Sequence, residues 1–377
     1  MSLISYLTRI HFADDVVEEA LAAELDELGI ARPLIVTDKG VAEAGLLERV
    51  EDAVPAASTS VLFEGGSITP SEAGAARIAE LYREGGCEGL IALGGGTIID
   101  LVKVVALLVS HGRPLVAFAG GGGRLGLIRD VLPPIIAIPT TAGSGAEVVP
   151  GTGVALENGQ MLGLSSPHLL PKVTICDPTL TISLPPALTA GTGMDALTHG
   201  IETYIATAYN PPADGIALDG VARAARHLER AVQHGRDLTA RREMMAAALN
   251  GALAVQKGLG GVHALSHALG GLKGYRLHHG TLNGVLLPYM LEFNAPAVGD
   301  RYGAIKRAMG LGARTDLAQE LFRLTGRLGL PTSLGQLGID LAAVERAATR
   351  AERDPANRTN PRRARRDDYL ALMRAAL

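Results

Sequence analysis

At 377 residues the chain is longer than one hydrophobic core usually serves, so two domains are the first expectation. Hydrophobic residues make up 47% of it, which excludes a disordered chain, and an aromatic share of 3% without Trp argues against a stacking platform for single-stranded nucleic acid. The formal net charge of −4 gives no electrostatic reason for a DNA or anionic-membrane partner, and two Cys imply no disulfide framework.

The N-terminus lacks a basic region followed by a long apolar run. No later stretch is apolar over the roughly 18 residues a membrane helix needs, so a soluble cytoplasmic protein is expected. The basic run Pro361–Arg366 reads as a solvated segment partly offset by Asp367 and Asp368.

The first third alternates helical patterns with short aliphatic runs. Helix is expected at Val16–Leu28, Ser71–Glu84 and Ile98–Ser110, and strand at Pro33–Asp38, Gly89–Gly96, Pro114–Phe118 and Pro134–Thr140. Near-continuous apolar strands between helices predict a parallel sheet covered on both faces. From Asn158 to Pro186 the pattern loosens and prolines accumulate, which suggests a crossing between domains. Helical patterns then dominate, at Leu188–Ala208, Asp214–Gln233, Arg241–Lys257, Val262–Leu272 and Thr281–Asn294. The four-glycine run Gly120–Gly123 reads as a mobile loop.

Three stretches of the α/β part carry binding chemistry. In GGGTIID (Gly94–Asp100) a strand ends in glycines and a helix opens, so the backbone can approach a pyrophosphate, Thr97 can cap the helix, and the helix end favours an anion. Such glycines also serve purely steric needs. Asp38 closes an earlier strand, where a carboxylate can accept from a ribose 2′-OH and disfavour a 2′-phosphate, or simply cap a helix. The acidic strand end precedes the glycine turn, the reverse of the Rossmann fingerprint. PTTAGSGAE (Pro139–Glu147) adds the hydroxyls of Thr140 and Thr141 and small residues that leave room for a planar ring or a phosphate.

The helical part carries a different chemistry. In GTGMDALTHGIE (Gly191–Glu202), Asp195 and His199 stand one helical turn apart and can grip one cation. His263 and His267 repeat the spacing in GVHALSHALGG, and LHHGTLNGVLLP offers His278 and His279. One carboxylate and several imidazoles in apolar surroundings point to a divalent-metal centre.

These motifs, in this order and across essentially the whole chain, resemble the group III iron-containing alcohol dehydrogenases. GGGTIIDLVK resembles that family's GGGSxxDxAK, PTTAGSGAE its PTTAGTGSE, LTAGTGMDALTHGIE its LTAxTGxDALxHAxE, and the two later stretches its His-bearing signatures. The resemblance implies a dehydroquinate synthase-like architecture: an α/β dinucleotide-binding domain with a parallel sheet over residues 1–183, an all-α metal-binding domain over 184–377, and a homodimer. It implies Asp195, His199, His263 and His279 as metal ligands, with His279 rather than His278 preceding the Gly of the signature. His267 becomes the proton relay, and NAD is held by Asp38, Gly95, Gly96, Thr97, Asp100, Lys103, Thr140 and Thr141. The chain departs from the family at Met161, where a Lys is common.

A mixed N/O donor set suits Fe(II), or alternatively Zn(II), as a Lewis acid for hydride transfer between an alcohol and nicotinamide. Within the family the fine pattern, including NPPADGIALDG (Asn210–Gly220), is similar to bacterial 4-hydroxybutyrate dehydrogenases, implying a short ω-hydroxy acid and its semialdehyde as substrates. A substrate carboxylate needs a cation, for which Lys257, Lys273 and Arg276 are candidates; without one, a neutral short-chain alcohol fits better. A dehydroquinate-synthase-like lyase would need more Lys and Arg in the metal half, and a maleylacetate reductase typically lacks the metal ligands.

Overall fold

The computed structural model describes residue 4 and residues 8–54, 59–63, 70–111, 114–118, 127–157 and 161–377. Gly120–Gly123 lies outside the described residues. The chain divides into two compact units: one runs from the first strand to Thr141 and resumes at Ala146–Ser183, and the other holds Ala142–Gly145 and Leu184–Leu377.

The α/β unit contains strands β1 (Arg9–Phe12), β2 (Pro33–Asp38), β3 (Thr59–Phe63), β4 (Gly89–Gly94), β5 (Ile135–Pro139), β6 (Gly151–Ala155), β7 (Met161–Ser165) and β8 (Val173–Cys176). Its helices are α1 (Val16–Glu27), α2 (Lys39–Glu43), α3 (Leu46–Asp52), α4 (Glu72–Glu84) and α5 (Gly96–His111). Among the described residues six strands form a parallel sheet in the order β1-β8-β5-β4-β2-β3, and β6 and β7 form a separate antiparallel hairpin.

Alternation along each strand gives the sheet two apolar faces. Leu34, Val36, Leu90, Ala92, Ile135 and Ala137 cluster with Ile78 of α4 and Leu101 and Val105 of α5. Their neighbours Ile35, Ile91, Leu93, Ile136 and Ile138 cluster with Val17, Leu21 and Leu25 of α1 and Val50 of α3. From β2 the chain winds outward to β3, and from β4 it winds the other way to β5. The direction reverses between the carboxyl ends of β2 and β4, where an open α/β sheet leaves a crevice.

Two expectations change. Pro114–Phe118 is not a strand: Leu115–Phe118 forms a 3-10 turn in which Leu115 and Phe118 are buried and Val116 is 56% exposed, the three-residue spacing of that turn rather than the two-residue period of a strand. The loosened stretch before Pro186 is more than a crossing, because it supplies β7 and then β8, which lies between β5 and β1. Pro171 and Pro178 flank β8 so closely that its four residues leave no readable period.

The second unit contains α6 (Pro186–Ile205), α7 (Pro211–Gln233), α8 (Leu238–Ala254), α9 (Gly261–Gly270), α10 (His279–Asn294), α11 (Arg301–Ala308), α12 (Leu317–Arg327), α13 (Leu341–Arg353) and α14 (Arg366–Ala375). Helix α6 is its axis, packed against α7, α8 and α10 and buried along most of its length. Pro288 inside α10 cannot donate to the carbonyl of Gly284, which instead accepts the Thr325 hydroxyl of α12 at 3.2 Å. No described helix is long and apolar enough to cross a membrane.

The start of α10 rests directly on the backbone of α6. A Cβ at Gly280 would stand 2.1 Å from the Gly191 carbonyl oxygen and 3.0 Å from the Asp195 Cβ. Only a residue without a side chain permits that approach, and the approach is what sets His279 opposite Asp195. Gly280→Ala is expected to force the two helices apart and cost about 1–3 kcal/mol, lowering the melting temperature by several degrees. Gly270→Ala, at a helical glycine with nothing within 4 Å of the added Cβ, should be neutral or slightly stabilising. Equal melting temperatures for the two variants in a thermal scan would refute the packing argument.

Candidate functional site

Within the α/β unit, the three binding stretches meet at the carboxyl ends of adjacent strands. Asp38 ends β2, Gly94 ends β4, and Thr140 and Thr141 follow β5. The Thr140 N–H donates to the Gly94 carbonyl at 3.1 Å, and a Cβ at Gly95 would stand 3.3 Å from the Thr141 side chain. Gly95, Gly96 and Thr97 are part-exposed at the start of α5, and the positive end of a helix favours an anion. The sheet order explains the reversed motif order, since β2 and β4 are neighbours although β3 lies between them in sequence.

Asp38 also caps α2, accepting from the Val41 N–H at 3.1 Å. Asp100 is part-buried on α5, and its carbonyl accepts the Thr152 hydroxyl at 3.1 Å. Lys103, expected among the cofactor contacts, is fully buried. Its Nζ donates to the carbonyls of Val149 and Gly151 at 2.8 and 2.9 Å and lies 3.3 Å from Asp100 Oδ1, so it secures the segment after the Gly-Ser stretch from behind. Met161 is 41% exposed on β7.

Within the helical unit, Asp195 Oδ1 lies 3.6 Å from His279 Nε2 and 3.8 Å from His263 Nε2. Among the described residues one donor atom each from Asp195, His263 and His279 falls within a 4.8 Å group, close to the spacing of donors about 2.0–2.2 Å from a shared cation. Burial favours neutral Asp195, yet His199, His279, His263 and the Asn283 amide outweigh it and hold the carboxyl at about 2. Burial pushes His279 down to about 4 and His263 well below the usual imidazole range, so one carboxylate faces two neutral imidazoles, the state in which these groups donate to a metal.

His199 lies beside this group rather than in it. Its ring stacks on that of His263 at 4.6 Å between centroids, and its Nδ1 is buried without a hydrogen-bond partner among the described residues. An orphaned buried nitrogen next to three convergent donors fits a site built for a cation. His278 stands apart from the donors, with Nδ1 accepting the Thr281 N–H at 3.3 Å as the cap of α10.

His267 projects from the exposed side of α9, 45% accessible, with its ring stacked on His279 at 5.3 Å. Its Nδ1 lies 3.0 Å from Asp354 Oδ2. Burial opposes its charging, but the Asp354 carboxylate outweighs this and holds the imidazole above its ordinary range.

Three supporting residues escaped the sequence reading. Glu202 of α6 accepts the His263 Nδ1 proton at 2.7 Å together with the N–H groups of Gly260, Val262 and His263, capping α9 from another helix. Asn283 places its amide nitrogen 2.7 Å from Asp195 Oδ1. Both were signalled by spacing: Glu202 continues the face of Asp195 and His199, and Asn283 lies one turn after His279. Asp354 carries no such signal, being 87 positions from its partner.

The sequence profile described as "Iron-containing alcohol dehydrogenase" matches residues 8–178, and that described as "Fe-containing alcohol dehydrogenase family, C-terminal" matches residues 189–377. The chain belongs to the iron-containing alcohol dehydrogenase family. A 4-hydroxybutyrate dehydrogenase of Cupriavidus necator is 47% identical, covering 100% of both chains. Among solved structures, 1,3-propanediol oxidoreductase superposes with a TM-score of 0.90 at 31% identity, covering 100% of both chains. Sulfoacetaldehyde reductase from Bifidobacterium kashiwanohense, in complex with NAD+, superposes with a TM-score of 0.89 at 27% identity over 100% of this chain and 98% of its own. The chain is thus an alcohol dehydrogenase-type oxidoreductase with an α/β unit followed by a helical one.

Behind the crevice, burial pushes the Glu147 carboxyl up to about 7 despite the nearby charge of Lys103. A carboxyl raised above its ordinary 4.5 favours the folded state fully below that value, and the contribution is lost as pH rises through about 7. Glu147→Gln is therefore expected to raise the melting temperature at pH 8 by an amount worth on the order of 2 kcal/mol, and to leave it nearly unchanged at pH 5. A pH-independent difference in thermal scans would contradict this assignment.

Proposed function

We propose that the protein interconverts a short ω-hydroxy acid and its semialdehyde, 4-hydroxybutyrate and succinate semialdehyde, with NAD(H) as the redox partner. The observation that carries the chemistry is the convergence of Asp195, His263 and His279 with His199 beside them. The substrate reading rests on the 47% identical relative. Asp195, His199, His263 and His279 would hold the metal, Fe(II) or alternatively Zn(II), since both accept mixed N/O donors. When bound, such a cation supplies Lewis acidity and the nicotinamide supplies a hydride acceptor.

The chain's own residues do the rest. Asp38, Gly95, Gly96, Thr97, Thr140 and Thr141 line the crevice proposed for NAD, with Asp38 favouring a free ribose 2′-OH. Asp100 and Lys103 support that crevice from α5. His267 would pass a proton between the substrate oxygen and solvent: Asp354 occupies Nδ1, which leaves Nε2 as the exchanging atom. Lys257 drops out as the cation for a substrate carboxylate, because it is buried with Nζ bound to the Tyr204 carbonyl at 2.6 Å and to Asp214. Lys273 and Arg276, exposed on the segment from α9 to α10, are the remaining candidates.

His263→Ala should lose metal and activity together. His267→Ala should keep its metal, measured by elemental analysis, and turn over about 10²–10⁴-fold more slowly. Equal metal loss in both variants would overturn the separate roles.

With metal-loaded protein, NADH oxidation should be faster with succinate semialdehyde than with butanal. In the double variant Lys273→Ala/Arg276→Ala the KM for the semialdehyde should rise at least tenfold while that for butanal holds. Preference of the unmodified protein for butanal would replace the hydroxy-acid reading with a neutral short-chain alcohol.

A further inference from the structure

We propose that Asn283 is a positioning residue that stands in for the cation, keeping the donor set open with its lone pairs facing inward until a metal arrives. The proposal rests on the metal reading above. Asn283 is fully buried, and its Nδ2 lies 2.7 Å from Asp195 Oδ1, 3.3 Å from His279 Nε2 and 3.5 Å from His263 Nε2. One amide nitrogen thus reaches the donor atoms of three of the four proposed ligands. An amide oxygen 2.7 Å from a carboxylate oxygen would be repelled, so the NH2 end must face the cluster.

That orientation leaves Asn283 Oδ1 buried without a partner among the described residues. A side chain placed only for packing would turn its oxygen toward a donor. Here the NH2 is held inward at the expense of the oxygen, which marks the inward face as the one that matters.

An NH2 group only donates, so it meets an imidazole nitrogen favourably only where that nitrogen is a bare lone pair. Glu202 imposes the same tautomer on His263 from the other side by taking the Nδ1 proton at 2.7 Å. Two neighbours on two helices therefore hold Nε2 of His263 in the form a metal requires. The partial positive charge of the amide also faces the Asp195 carboxylate.

Two near-isosteric substitutions at this position should act in opposite directions. In Asn283→Leu the volume stays and the donors go: Zn(II) affinity of chelator-stripped protein, measured by competition with a chromophoric chelator, should fall about tenfold or more. In Asn283→Asp a second carboxylate faces Asp195: Zn(II) should bind more tightly than in the unmodified protein, the metal-free protein should melt lower, and the visible spectrum of the Co(II) form should change. If both variants bind Zn(II) as the unmodified protein does, or both lose affinity and melting temperature alike, Asn283 is a core residue and the proposal fails. If the unmodified protein takes up neither Zn(II) nor Co(II), the metal centre itself is overturned and the proposal with it.

Discussion

The two oxygens of Glu202 receive four donors: the N–H groups of Gly260, Val262 and His263, and the imidazole of His263. Helix α9 begins at a glycine with no side chain to cap it, so its leading N–H groups depend on a carboxylate from α6 and on Asn360, which accepts from Gly261 at 3.0 Å. An unmet buried donor costs about 1–3 kcal/mol, so α9 has little freedom to slide. Because Asp195 and His199 share the face of α6 that carries Glu202, one helix offers donor groups and fixes the helix that brings the next. The close seat of α10 on Gly191 then places His279. The centre is thus a by-product of how three helices satisfy one another.

The α/β unit solves a similar problem with the opposite charge. Lys103 is buried against the carbonyls of Val149 and of Gly151, the first residue of β6, so a single ammonium ties the start of that strand to α5. Its family-motif position implies a cofactor contact, and the two carbonyls it binds give it a supporting role in the fold. Motifs record which residues are needed without recording whether they touch the ligand or hold what does.

Much of the architecture was legible because it is local. Helices α6 to α10 show as apolar segments of helical length, α7 with a 3.6-residue period and α8 and α10 apolar on nearly all sides, and β2, β4 and β5 are buried aliphatic runs. The i, i+4 pairs Asp195/His199 and His263/His267 were readable for the same reason. Illegible were features set by distant partners. Strands β1 and β8 are four residues each, β1 paired with β8 and β8 with both β1 and β5, and the ring of His267 is held by a residue near the end of the chain. His279 was favoured over His278 by the family signature alone, and the physical difference is tertiary: His278 spends its nitrogen on the first turn of α10, and His279, one position on, faces Asp195.

The pairing of β1 with β8 governs how the chain can be assembled during synthesis. Strand β1 lies at the sheet edge, and its partner, with Arg9 opposite Val173, is made only after the remaining strands of the sheet. On the ribosome the first strand therefore leaves the tunnel with no edge to join, and the sheet can close only when nearly half the chain has been translated. The same strand also has local partners: from the buried side of α1, Glu24 binds Arg9 at 2.5 Å and His11 at 2.7 Å, contacts spanning only 15 and 13 positions. The first strand is thus fastened to the adjacent helix by contacts close in sequence, while its backbone ladder is completed by a strand from far along the chain.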